Sequence, residues 1–165
     1  MSSKEKRISI TAIKPPDKDV EQRAAASILF VPDNWSTERK EHIYPSTVDS
    51  VVKLLKQYEV PVDTLDPIDA KTAMQDNRGL DWIVPTFVVS GLLLTQNPML
   101  ISVALSVIAN YVTDLFKGLN GDPEVKLNII QTAADGKKAQ CIRYEGPVSG
   151  LPGVEKVLKT FDPKE

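Results

Sequence analysis

Apolar residues alternate near the start of the chain. Ile8, Ile10 and Ala12 fall on one side of an extended Arg7–Ile13 segment that ends at the breaker Pro15-Pro16, and this predicts a short strand. The period then changes. Val20, Ala24, Ser27 and Ile28 recur at helical spacing from Asp17 towards Pro32, with acids in the first turn where the helix dipole favours them. Residues 32–45 carry prolines, charges and Trp35 without a clear period, and read as an irregular loop with room for one helical turn.

Ser46 and Asp49 resemble a capping box, and Val48, Val51, Val52, Leu55 and Tyr58 trace one face of the helix that follows. Val60, Val62 and Leu65 then suggest a short strand, placed at a sheet edge because Pro61 lacks an N–H. Asp66-Pro67 has the form of an N-cap and first helical residue, with Gly79 as a stop, which predicts a helix near 67–78. Further on, Val125, Leu127 and Ile129 alternate, Asp135-Gly136 supplies a turn, and Gln140–Glu145 runs extended. That is a hairpin over 124–145. Gly146-Pro147 closes it, and Val154, Val157, Leu158 and Phe161 mark a final amphipathic helix.

Between the hairpin and the earlier elements lies the apolar segment Ile83–Phe116, in which Asp114 is the one charged residue. Such a stretch has to be hidden from water. Pro85 and Asn97-Pro98 divide it, leaving Phe87–Leu94, too short to span a bilayer, and Met99–Phe116, which as a helix reaches about 27 Å against a ~30 Å hydrocarbon core. Within the second piece Ser102, Ser106 and Asn110 recur on one narrow stripe. In lipid that stripe would admit a neighbouring helix, with Trp82 as an interfacial aromatic; in a water-soluble fold it would be the lightly exposed edge of a buried helix.

The fold class expected is therefore α/β or α+β: a single domain over 1–165, with a small mixed sheet of about four strands, amphipathic helices and one long apolar helix at 98–117. Residues 1–16 would hold the first strand and a mobile tail. At 165 residues and 42% apolar composition the chain can bury a real core. A formal net charge of −2, with basic residues clustered only at Lys4, Lys6 and Arg7, gives no face for nucleic acid. One cysteine, Cys141, cannot form an internal disulfide, and the polar start lacks a signal-peptide h-region, so a cytoplasmic location is expected.

Candidate chemistry is sparse. Cys141 and His42 are each unique, but a cysteine inside a strand is ordinarily a buried small residue rather than a nucleophile. One histidine and one cysteine make no zinc site without several carboxylates, and no cofactor is implied. Asp63, Asp66 and Asp69 recur every third residue, yet capping accounts for two of them. The loop from Gly146 to Gly153 lies between strand and helix, where Ser149, Gly150, Gly153 and Val154 could offer N–H groups or a hydroxyl to an anion; Pro147 and Pro152 each remove a donor. The leading expectation is thus a non-enzymatic interaction or assembly protein whose 83–116 segment packs in its own core and partly against a partner subunit or a second copy. The alternatives are a membrane-associated component with that segment as a helical hairpin, and a phosphate or small-ligand binder using the 146–153 loop.

Overall fold

The computed structural model describes residues 7–35, 41–69, 72–75, 82–116 and 124–159. β1 (Arg7–Ile13) forms as its alternation predicts; the tail before it lies outside the described residues. α1 (Lys18–Ala26) opens on Asp17, whose carboxylate accepts from the Val20 N–H at 3.0 Å. It stops well short of Pro32, because Ile28–Phe30 is a strand, β2, buried on both faces. A continuous apolar run of three residues carries no period to separate it from a helix end.

β3 (Ile43–Pro45) lies inside the stretch expected to be irregular. α2 (Val48–Gln57) buries Val48, Val51, Val52 and Leu55 as the pattern requires. Its N-cap is Thr47 rather than Ser46, and the Thr47 hydroxyl donates to the Ile83 carbonyl at 2.8 Å instead of capping its own helix. After Glu59, in the left-handed region at φ 60°, the chain enters β4 (Val62–Thr64), parallel to β2. The helix expected near 67–78 does not form in the described residues. Asp69 and Thr72 close a local turn instead, and β5 (Ala73–Gln75) pairs in parallel with β3 as a separate two-stranded sheet.

The apolar segment is only partly helical. β6 (Trp82–Ile83) and β7 (Phe87–Ser90) run parallel to the same neighbour, separated by a stretch containing Pro85. α3 (Gly91–Gln96) and α4 (Leu100–Leu115) follow. The long apolar helix expected over 98–117 is replaced by this 16-residue helix, begun at Met99 without a side-chain cap. No helix among the described residues is long and apolar enough to cross a membrane, and the first arm of the expected helical hairpin begins as a strand. β8 (Glu124–Thr132) and β9 (Ala139–Pro147) form the predicted hairpin, from Thr132 opposite Ala139 to Glu124 opposite Pro147. A 3₁₀ helix (Val148–Gly153) leads into α5 (Val154–Lys159).

The main sheet has seven strands where four were expected. Its order is β1-β9-β8-β7-β2-β4, with β6 also on β8. Three of the unpredicted strands, β2, β6 and β7, are short apolar runs that become strands only because neighbours supply their hydrogen bonds. Helices cover the sheet unequally. One face packs Phe30, Phe87, Val89, Leu127, Ile129 and Ile142 against α2, α4, the 3₁₀ turn and α5. The other carries a small cluster, Leu29, Val31, Val88 and Ile130, covered by Ala24 of α1 with partly buried Val20, Trp35 and Leu65 around it. This under-covered face holds an open cleft.

Candidate functional site

α1 crosses only part of the second face, and beside it an open groove of about 840 Å³ remains. Its floor is Val88 and Ile130, paired on adjacent strands, with Val31. Trp35, Leu65, Pro15, Pro16 and Val20 also line it, and the partly exposed His42 and Asp66 stand at its rim with Lys14 and Asp19. A mainly apolar floor with a few polar groups at the edge is the usual make-up of a small-molecule site.

Arg23 fixes the shape of this groove. Its guanidinium donates to the Leu65 carbonyl at 3.0 Å, the Thr64 carbonyl at 2.6 Å and the Asp63 carboxylate at 3.0 Å, tying α1 to the end of β4. Burial alone would raise the Asp63 carboxyl, but the Arg23 hydrogen bond, the Thr64 N–H and the charges of Arg23 and Lys56 outweigh it and hold the group below its ordinary value. Arg23 is therefore spent on structure. The segment before β3 is held as firmly: the Asn34 side chain accepts from the Ile43 N–H at 2.8 Å and donates to the Glu41 carbonyl at 2.7 Å, bracketing His42.

The chemistry at the rim centres on Asp66. Its Oδ2 lies 2.6 Å from His42 Nδ1 and accepts from the Tyr44 hydroxyl at 2.8 Å, while the Tyr44 oxygen accepts from the Asp66 N–H at 3.2 Å. Tyr44 is fully buried. Burial, reinforced by the hydrogen bond to Asp66, raises its hydroxyl far above the usual phenol range, so it remains a donor. A carboxylate accepting from Tyr44 leaves His42 Nδ1 as the second donor, which puts the lone pair of the neutral ring on Nε2. That is the orientation of a histidine that takes a proton or a hydrogen bond from a bound molecule. The imidazole is 40% exposed, so a ligand can reach it.

The three aspartates do not converge. Asp63 pairs with Arg23, Asp66 with His42 and Tyr44, and Asp69 with Thr72. Asp66 caps no helix. Among the described residues no group of histidine, cysteine, aspartate and glutamate side chains could hold a metal ion. Cys141 is buried in β9, opposite Thr11 and Ile130, and does not line the groove that holds His42.

The remaining candidate residues lie on the opposite face. The 146–153 segment is wound into the 3₁₀ helix: Ser149 is exposed, Gly150 and Gly153 are half-buried, and Val154 is buried with its N–H turned back to the Leu151 carbonyl. Ser102 hydrogen-bonds Glu155 of α5, and Lys159 with Ser102 draws the Glu155 carboxyl below its ordinary value. Ser106 is half-buried and Asn110 exposed. Trp82 is buried, its ring edge-on to Tyr111 at 6.1 Å. The structure thus brings Ser102 to a helix of its own chain and leaves Trp82 in the core.

His42 meets Asp66, itself bonded to Tyr44, and shares the groove with Trp35, rather than pairing with Cys141. One signal was present: His42 and Tyr44 are two apart, the spacing that sends side chains of an extended segment to one side. Neither a protein-family model, nor a curated protein, nor a solved structure matches the chain.

Proposed function

We propose that the protein binds a small amphipathic molecule in the groove beside α1. Its flat apolar body lies on Val88 and Ile130 against Trp35, and a hydroxyl or amide N–H donates to His42 Nε2. The observation that carries this reading is the Asp66-oriented histidine at the mouth of an open cleft of about 840 Å³, with an apolar floor within. A thermal-shift screen of ring compounds bearing a hydroxyl or amide tests it. A binder at one hundred times its Kd stabilises the fold by about 2.7 kcal/mol, and Trp35→Ala and His42→Ala each remove the shift. Binders indifferent to both substitutions would refute the assignment.

A second reading keeps the assembly role of the apolar segment. Met99 and Val103, four residues apart at the start of α4, are 61% and 42% exposed, and α3 adds exposed Leu92. We propose these as the part of residues 83–116 that meets a partner protein; Val103→Glu would then abolish that association without unfolding the chain.

A further inference from the structure

β1 ends the main sheet on its side, and among the described residues nothing pairs with its outer edge. The direction of its backbone groups follows from the hairpin. The Ala133 N–H donates to the Lys138 carbonyl at 2.9 Å, and the register from there to Pro147 runs without a bulge. Hydrogen-bonded and non-hydrogen-bonded pairs alternate in an antiparallel ladder. Gln140, Ile142 and Tyr144 therefore turn their backbone groups to β8, while Ala139, Cys141, Arg143 and Glu145 turn theirs to β1, where their partners are Ile13, Thr11, Ser9 and Arg7. Ile8, Ile10 and Ala12 direct their N–H and C=O groups outward.

These three residues are also the apolar row of the strand, on the face that carries α2, α4 and α5, and Ile10 is 52% exposed. No proline or charge stands between Ile8 and Ile13, although such residues are the common means of keeping an edge from pairing.

We propose that this edge pairs with β1 of a second copy, antiparallel about a two-fold axis at Ile10. That register opposes Ile10 to Ile10, Ile8 to Ala12 and Ser9 to Thr11. It places all three outward-facing residues in hydrogen-bonded pairs, which makes about six backbone hydrogen bonds across the seam. It also carries the apolar row from one copy into the next. Neighbouring registers do not: a two-fold at Thr11 sets Ile8 opposite Lys14, and one at Ser9 leaves Ala12 outside the paired strand. The seam is the strand itself, about 23 Å long. A single-strand seam is smaller than the ~1,200 Å² of a standard interface, so the dimer is reversible and grows with concentration.

Sedimentation velocity across a concentration series, with residue-resolved amide exchange on the same samples, tests the pairing. The weight-average mass should climb from monomer towards dimer. The amides of Ile8, Ile10 and Ala12 should gain protection as it does, whereas those of Ser9, Thr11 and Ile13 stay protected throughout. Ile10→Glu, which sets two carboxylates against each other, should hold the chain monomeric with an unchanged circular dichroism spectrum, and Val103→Glu should leave the dimer intact. A chain that stays monomeric at every concentration overturns the proposal, as does a dimer in which the Ile8, Ile10 and Ala12 amides exchange freely. The exchange pattern decides the matter on the unmodified protein even if Ile10→Glu fails to fold. None of these outcomes depends on the groove.

Discussion

Tyr44→Phe is the most informative single substitution, because it removes one oxygen and little volume from a fully buried position. Two interactions go with it: the hydrogen bond to the Asp66 carboxylate at 2.8 Å and the acceptor for the Asp66 N–H at 3.2 Å. A hydrogen bond to an ionised group contributes about 1.5–3 kcal/mol, and a backbone N–H left without a partner costs about another 1 kcal/mol. Relief from burying a phenol hydroxyl offsets part of this, so the expected loss is about 2–3 kcal/mol. Urea unfolding should show a lower midpoint with the slope unchanged, and each kcal/mol should lower Tm by about 2–4 °C for a chain of this size. His42→Ala should behave differently: its ring is 40% exposed, and a polar pair that open to solvent contributes at most about 1 kcal/mol. The two changes together should depart from additivity, since both act through Asp66. A Tyr44→Phe protein within about 0.5 kcal/mol of the parent would refute the claim that Tyr44 holds Asp66 in place.

Three further outcomes follow from the same geometry. Asp63 is held below its ordinary value in the folded chain, so its stabilisation is present above the carboxylate range and is lost as pH falls through the lowered folded value. Asp63→Asn should remove that acid-dependent component, a change of at most about 1 kcal/mol because the pair is half-exposed, read from denaturation midpoints at pH 6 and in the acid range. Gly91→Ala would set a Cβ 2.7 Å from the Ala134 nitrogen and 2.8 Å from the Thr132 oxygen; backbone must move, and a loss of about 1–3 kcal/mol in chemical denaturation is expected. Leu105→Ala, in the fully buried face of α4, should cost about 2–5 kcal/mol by the same measurement; a smaller loss would mean that α4 is not the centre of the main cluster.

The elements that the residue pattern revealed are those whose side chains show a period of their own. β1, α2 and the β8–β9 hairpin each combine a clear period with a local turn or stop signal, so their side chains alone define a face. The hidden elements depend on their neighbours. Ile28-Leu29-Phe30 and Phe87–Ser90 are apolar on both sides because each lies between two strands and between two layers, and a run of that length reads equally as helix or strand. Asp66-Pro67 misled for a related reason: a carboxylate that caps a helix and one that orients a histidine look alike until His42 and Tyr44, more than twenty residues earlier, come alongside. The division of the apolar segment at Asn97-Pro98 was legible, but the strand character of its first half was not. The groove itself was invisible, since its floor comes from β7 and β8 and its rim from the stretch around Trp35 and His42.

The central claim is that the groove beside α1 is a binding site whose polar contact is His42. The most direct test is a titration of isotope-labelled protein with a library of ring compounds carrying a hydroxyl or amide, followed residue by residue by NMR. The account predicts shifts concentrated on the Trp35 indole N–H, the His42 ring and the methyl groups of Val88 and Ile130, abolished in His42→Ala. Binders that perturb only the 146–154 segment, or a library that leaves the groove residues unmoved, would contradict it.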